Sequence, residues 1–175
     1  MNNVELDILR NKIDEIDSNL CQLIKERQAL ATEIMSAKKG NFPFDPGREE
    51  DLIKKLVNSG LDKFLVEKVW RQIISSNLSI QKTLNIGVAG SDDEIKSAYS
   101  AHFGNYFNTT YFLSVVSLLA SLEKKDIELG FIDSESLGKL KKHTDIKVNF
   151  EIIANVPLYK TANQKNYNII KLTNN

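Results

Sequence analysis

The chain has 175 residues, of which 42% are hydrophobic and 26% charged, a balance typical of a globular protein with one domain or two small ones. Its 23 basic residues equal its 23 acidic residues, which excludes the broad basic field of a protein that binds nucleic acid or acidic membranes. The single cysteine, Cys21, excludes an internal disulfide and a multi-cysteine metal cluster. Because the N-terminus lacks the features of a signal peptide and no apolar run is long enough to span a bilayer, we expect a cytoplasmic protein.

The first predicted element is a long helix over residues 5–39, where a 3.6-residue apolar pattern runs without glycine or proline. Arg27 and Lys38 fall inside its apolar stripe. A buried cation needs an anion beside it, because burying the charge unpaired costs several kcal/mol. The sequence therefore predicts either an internal ion pair or a site for a small dianion. The stripe consists of Leu6, Leu9, Ile13, Ile16, Leu20, Leu23, Ile24, Leu30, Ala31 and Ile34.

Two more helices are predicted after a break at residues 40–47 that is rich in glycine and proline. They cover residues 48–58 and 62–83, and the second of them has an apolar face in which Asn77 and Gln81 lie. The faces that are expected to be buried thus carry two amides, Asn77 and Gln81, as well as the two cations of the first helix.

The spacing along the first helix limits which cations can share a ligand. Arg27 and Lys38 are about 16 Å apart along the axis and have nearly the same azimuth, so their long side chains can bracket a small molecule. Arg10 is about 25 Å from Arg27 on the same axis. A second copy of the helix, packed antiparallel, could supply Arg10, so we expect a homodimer with shared sites.

After Leu84, short apolar runs alternate with helical patterns, which is typical of an α/β domain. The predicted fold class is therefore α + α/β, with a helical domain at 1–84 and a small α/β domain at 85–175. Ser91 and Glu94 are predicted to form a capping box at a helix start. Strands are expected at 86–89, 127–132, 148–158 and 167–172, and helices at 91–103, 109–124 and 135–143.

The helical segment carries basic, acidic and amide residues in a specific order: LRNKIDEID at 9–17, LIKER at 23–27, AK at 37–38, DPGRE at 45–49, and Ile73-Ile74 through Gln81. In this order and spacing it resembles the chorismate mutases of the all-helical bacterial class. The resemblance implies an intertwined homodimer that isomerises chorismate to prephenate. That reaction is an intramolecular 3,3-rearrangement, so the resemblance implies neither a metal nor another cofactor.

The resemblance also implies roles for particular side chains. Arg27 and Arg10 of the partner subunit would bind the two carboxylates of chorismate, and Lys38 and Gln81 would donate to the ether oxygen. Glu49, with the backbone near Asp45, would accept from the substrate hydroxyl, and Arg48 would support the carboxylates or orient Glu49. The implied catalytic residues are Lys38, Gln81, Arg27, Arg10 and Glu49, and the implied substrate-binding residues are Arg10, Arg27, Lys38, Asp45, Arg48, Glu49, Asn77 and Gln81.

Two positions depart from the pattern of this family. Asn77 stands where serine is frequent, and Gln28 follows Arg27 where a second arginine is frequent. Neither change removes a principal donor. Because the amide of Gln81 donates at any pH, whereas a glutamate there must be protonated, we expect turnover that does not collapse between mild acid and neutral pH.

The C-terminal half contains LNIGVAGS at 84–91, IELGFID at 127–133 and the stretch from 143 to 159, which resemble the first lobe of prephenate dehydratase. That domain follows the mutase in bifunctional proteins. Here Gly90-Ser91-Asp92-Asp93 replaces its glycine-rich opening, its catalytic Thr-Arg-Phe segment has no counterpart, and the chain ends before a second lobe. We expect no dehydratase activity, and a role as a remnant, a dimer-stabilising unit or a binding module.

Two other functions fit the same residues. Isochorismate pyruvate lyase shares the helical dimer and binds a similar dianion, although the pair of Glu49 and Gln81 favours a mutase. A non-catalytic dimeric module that senses aromatic metabolites would bind chorismate without turnover. His102 and His143 have no cysteines or paired carboxylates at ligand spacing, so no metal site is expected.

Overall fold

The computed structural model describes residues 3–37, 42–143 and 148–173, and the chain divides into two units, Met1–Pro43 and Phe44–Asn175. The first unit contains helix α1 (Asn3–Ala37), which runs for 35 residues and confirms the predicted long helix. Lys38 lies outside the described residues. No described helix has both the length and the apolar content needed to cross a bilayer.

The apolar stripe of α1 faces solvent in the single chain. Seven of its ten side chains are exposed, from 37% at Ile24 to 60% at Leu23, whereas Leu6 and Ile34 are half-buried and Ala31 is buried. An ordinary surface helix buries such a stripe against its own core. The seven large side chains concerned are Leu9, Ile13, Ile16, Leu20, Leu23, Ile24 and Leu30.

The second unit begins with helices α2 (Pro46–Asn58) and α3 (Lys63–Gln81), close to the predicted ranges. Each begins at an aspartate whose side chain caps the helix. Asp45 accepts from the backbone N–H of Arg48 at 3.1 Å, and Asp62 accepts from that of Leu65 at 2.8 Å. Helix α2 begins two residues before the predicted start, because proline is well suited to the first helical turn after such a cap.

The rest of this unit is a five-stranded mixed sheet with three helices, which confirms the α + α/β fold class. The strand order is β2-β1-β3-β5-β4; β1 pairs in parallel with β2 and β3, whereas β5 pairs antiparallel with β3 and β4. The strands are β1 (Asn85–Ala89), β2 (Asn108–Phe112), β3 (Leu129–Asp133), β4 (Phe150–Val156) and β5 (Tyr167–Leu172), and the helices are α4 (Asp93–Phe103), α5 (Val115–Glu123) and α6 (Ser134–His143).

The predicted helix over 109–124 is wrong in its first part. Residues 108–112 form β2, at one edge of the sheet, and α5 begins only at Val115. The β-branched and aromatic side chains of this stretch favour a strand, and parallel pairing with β1 supplies the backbone hydrogen bonds. Ser114 and Ser117 then form a capping box that starts the helix.

The capping box predicted at Ser91 and Glu94 is also wrong. Helix α4 is capped by Asp92, whose Oδ1 accepts from the backbone N–H groups of Glu94 and Ile95, both at 3.1 Å. Asp92, one residue after Ser91, therefore caps the helix in place of the serine, because its carboxylate reaches two unpaired N–H groups of the first turn.

Helix α3 is fastened to the α/β elements by hydrogen bonds. Ser75 donates to the carbonyl of His102 at 3.0 Å, and Gln72 donates to the carbonyls of Ser100 and Ala101. The carboxylate of Glu67 accepts from two backbone N–H groups after β4. These bonds place α3 beside α4 and beside the segment that follows β4.

Candidate active site

The candidate cations of α1 lie far apart on one helix. Arg10 is exposed and forms an ion pair with Asp7 at 3.4 Å, whereas Arg27 is half-buried. Seventeen residues of continuous helix separate the two by about 25 Å along the axis. One copy of α1 therefore cannot bring both guanidinium groups to the same small ligand.

The start of α2 brings Asp45, Arg48 and Glu49 together. The side chain of Asp45 accepts from the backbone N–H of Arg48, and its carbonyl accepts from the backbone N–H of Glu49 at 3.1 Å. The side chain of Arg48 is exposed. The cap holds the first turn of α2 rigidly, and it thereby sets the direction in which the Glu49 side chain leaves the helix.

A buried arginine holds Glu49. Arg71, on α3, donates from Nη1 to Oε2 of Glu49 at 2.9 Å, and only 8% of the Arg71 side chain and 11% of the Glu49 side chain are exposed. Burial lowers the pKa of Arg71, and the carboxylates of Glu49, Glu67 and Glu50 oppose that shift. A guanidinium remains charged after a modest shift, so a buried ion pair joins the two helices.

Arg71 was absent from the predicted site, although the sequence contains a signal for it. Glu67, Arg71 and Ser75 follow one another at four-residue spacing and share a buried face of α3 with Ile74 and Leu78. Polar residues on that face are as informative as Asn77 and Gln81, which were singled out. The resemblance offered Arg48 as one way to orient Glu49, and the structure brings Arg71 to that carboxylate.

The two amides on α3 differ in burial, and only Asn77 is buried as predicted. Asn77 is 4% exposed, and Gln81 is half-buried with its amide oxygen inaccessible to water. Neither Asn77 Oδ1 nor Gln81 Oε1 has a hydrogen-bond partner among the described residues. The residues are four apart and hence neighbours on the helix surface. Two adjacent amides whose buried oxygens lack a partner are suited to a ligand that donates hydrogen bonds, because an unpaired buried polar group costs stability.

Comparisons with known proteins confirm the resemblance that the helical segment indicated. The family described as chorismate mutase type II matches residues 9–82. A protein of Methanocaldococcus jannaschii named chorismate mutase is 36% identical over 80 residues, which cover 42% of this chain and 81% of that protein. The matched segment contains every candidate site residue from Arg10 to Gln81.

Longer relatives match beyond the helices. A protein of Pseudomonas aeruginosa named bifunctional chorismate mutase/prephenate dehydratase is 27% identical over 143 residues, covering 75% of this chain and 39% of the relative. One of the same name from Aquifex aeolicus is 25% identical over 173 residues, covering 89% of this chain and 48% of the relative. The chain thus spans less than half the length of these two relatives. No solved structure matches.

Proposed function

This chain belongs to the chorismate mutase type II family, and from that membership we propose that it isomerises chorismate to prephenate. The observation that carries the proposal is the extent of the family match, which includes all eight candidate residues. The rearrangement is intramolecular, so catalysis depends on holding the substrate in a compact conformation and on stabilising charge as the ether bond breaks.

The proposed site assigns each charge of the substrate to a residue type that suits it. Arg27 and Arg10 of the partner subunit bind the two carboxylates, for which a guanidinium has matching geometry. Lys38 and Gln81 donate to the ether oxygen as it becomes negative. Gln81 lies half-buried on α3, one helical turn after the buried Asn77, which supports its place in the site, and Nε2 is the atom of its amide that donates.

Glu49 accepts from the substrate hydroxyl in this proposal, with Arg71 as its positioning residue. A carboxylate has two oxygens and about four acceptor sites, so the bond to Arg71 through Oε2 leaves acceptor capacity. The guanidinium fixes the orientation of the group before substrate arrives. Asp45, Arg48 and Asn77 complete the binding set, the first through its backbone at the start of α2.

The proposal includes a homodimer, which the surface of α1 supports. Seven large apolar side chains along the helix are 37–60% exposed in the single chain, and a second α1 packed antiparallel would bury them. The same packing brings Arg10 of the partner subunit toward Arg27.

Ile16→Lys should convert the dimer to monomers and abolish activity, whereas Ser18→Lys, on another face of α1, should do neither. Light scattering coupled to gel filtration measures the mass; a monomeric wild type would contradict the dimer.

We propose no dehydratase activity for residues 85–175. The support is the replacement of the glycine-rich opening at residues 90–93 and the lack of a Thr-Arg-Phe segment in this sequence. Incubation with prephenate and chromatography of the products tests this part. Release of phenylpyruvate would contradict it without affecting the mutase proposal.

The mutase proposal is tested by following the loss of chorismate absorbance and identifying the product. The wild type should form prephenate, and Lys38→Ala should be at least about 100-fold slower, the usual loss for one transition-state donor. Lys25→Ala, which removes an exposed lysine of α1, is the matched control and should have wild-type activity.

Three outcomes would overturn the assignment. Equal rates for Lys38→Ala and the wild type would remove the proposed donor. Salicylate formed from isochorismate, without prephenate from chorismate, would identify a lyase. Chorismate that binds without turnover would identify a sensing module.

A further inference from the structure

A second candidate site lies within the Phe44–Asn175 unit, away from the amides of α3. A cleft of about 450 Å³ opens between α3, α4 and the segment that joins β4 to β5. This volume is in the range of small-molecule sites. The walls are mainly apolar, with side chains from Phe64, Ala98, Ala101, Val156, Pro157 and Tyr159.

The polar groups of the cleft differ in what they can still bind. Each carboxylate oxygen of Glu67 accepts one backbone hydrogen bond, Oε1 from the N–H of Leu158 at 2.7 Å and Oε2 from that of Tyr159 at 3.0 Å. His102 is fully buried, and burial together with the charge of Arg71 lowers its pKa well below the usual value, so it is neutral at pH 7. His102 therefore offers no charge to a ligand, whereas Glu67 keeps a negative charge that the two N–H groups and the nearby guanidinium of Arg71 stabilise.

Two cations remain on the wall of the cleft. Lys68 is exposed at its rim. Arg71 lines the interior and donates to Glu49 through Nη1, while its Nε has no partner among the described residues. A guanidinium has five N–H donors, so this one retains donors for a second carboxylate. The cleft therefore combines an apolar body with an end where Arg71 and Lys68 lie with the hydrogen-bonded carboxylate of Glu67.

We propose that this cleft binds a small organic carboxylate with an apolar or aromatic body, whose carboxylate meets Arg71 and Lys68 and whose body lies against Phe64 and Tyr159. Arg71 also positions Glu49 in the proposed mutase reaction, but that proposal places no residue of the cleft in contact with chorismate. The proposal concerns binding alone, so it stands or fails separately from the mutase activity.

The test uses the whole chain and two matched probes, 3-phenylpropionate and its uncharged amide, 3-phenylpropanamide, in calorimetric titrations without chorismate. A probe of this size should bind with a dissociation constant of about 1 mM. The amide should bind at least about tenfold more weakly, because it lacks the charge that the guanidinium and ammonium groups recognise. Equal affinities, or no binding of the acid up to about ten times that dissociation constant, would overturn the proposal.

Variants distinguish this cleft from the mutase site, which also carries cations. Ala98→Leu fills the cleft and should weaken binding of the acid at least about tenfold. Ala120→Leu, an exposed position on α5, is the matched control and should leave binding unchanged. Lys38→Ala should also leave it unchanged. Binding that survives Ala98→Leu but is lost in Lys38→Ala would assign the probe to the mutase site and overturn the proposal.

Discussion

Replacing Arg71 by methionine should lower the free energy of unfolding by about 3–5 kcal/mol, because it leaves the carboxylate of Glu49 buried without this cation. At the 2.9 Å that separates Nη1 from Oε2, the attraction is about 6 kcal/mol for an effective dielectric constant of about 20. Desolvation of both groups offsets much of that attraction in the intact pair, but the variant retains the desolvation of Glu49. For a chain of this size the melting temperature should fall by about 6–20 °C.

Urea denaturation followed by circular dichroism, with calorimetry for the melting temperature, measures the effect. Lys139→Met is the matched control, because it breaks an ion pair with Glu135 whose side chains are 70% and 74% exposed, and it should change the melting temperature little. The double variant Glu49→Leu with Arg71→Met should recover part of the loss, since the buried carboxylate of Glu49 is then removed together with its cation. If Arg71→Met lowers the melting temperature no more than Lys139→Met does, burial does not strengthen the dependence of Glu49 on Arg71.

Three further predictions concern packing and pH. Gly130→Ala should destabilise the protein by about 1–3 kcal/mol in urea denaturation, because the new Cβ would lie 2.7 Å from a Leu118 methyl. Gly138→Ala, with no atom within 4 Å of its Cβ, should instead stabilise the protein by about 0.5–1 kcal/mol. Equal effects of the two substitutions would contradict the packing argument. Burial raises the pKa of Tyr99 from 10.0 to about 12, so the unfolded chain loses that proton at a lower pH than the folded chain does. The free energy of unfolding should therefore fall by up to about 3 kcal/mol as the pH rises from 10 to about 12. Tyr99→Phe should flatten this part of the pH profile, and an unchanged slope would count against the assignment. Wild-type turnover of chorismate should vary little between mild acid and neutral pH, whereas Gln81→Glu should lose activity steeply above about pH 6; a steep loss in the wild type would contradict the donor role of the amide.

The helices of the mutase segment were predictable because their signal is local. An α-helix repeats every 3.6 residues whatever surrounds it, so the sequence alone predicts the apolar stripe of α1, whereas the caps at Asp45 and Asp62 were not predicted. The same periodicity placed Asn77 and Gln81 on a buried face. The roles of the eight candidate residues in catalysis stay predictions that the proposed assays test.

Strand β2 was missed because its decisive interactions are not local. Residues 108–112 pair with β1, more than twenty residues earlier in the chain, and this pairing keeps them out of the helix that the following apolar run forms. The cap of α4 was misplaced by one residue for a smaller reason. Ser91 and Asp92 are both good caps, and only the backbone path after Gly90 decides which side chain reaches the free N–H groups.

The amino-acid pattern was enough to predict the elements that repeat along the chain: three helices, an alternating C-terminal half, and polar residues on apolar faces. It could not predict that Arg71 binds Glu49, 22 residues away, or that the carboxylate of Glu67 accepts from N–H groups more than ninety residues later. These contacts join residues that are distant in the chain. Periodicity reports which face of an element is apolar, whereas the partner of a buried charge depends on how distant elements pack.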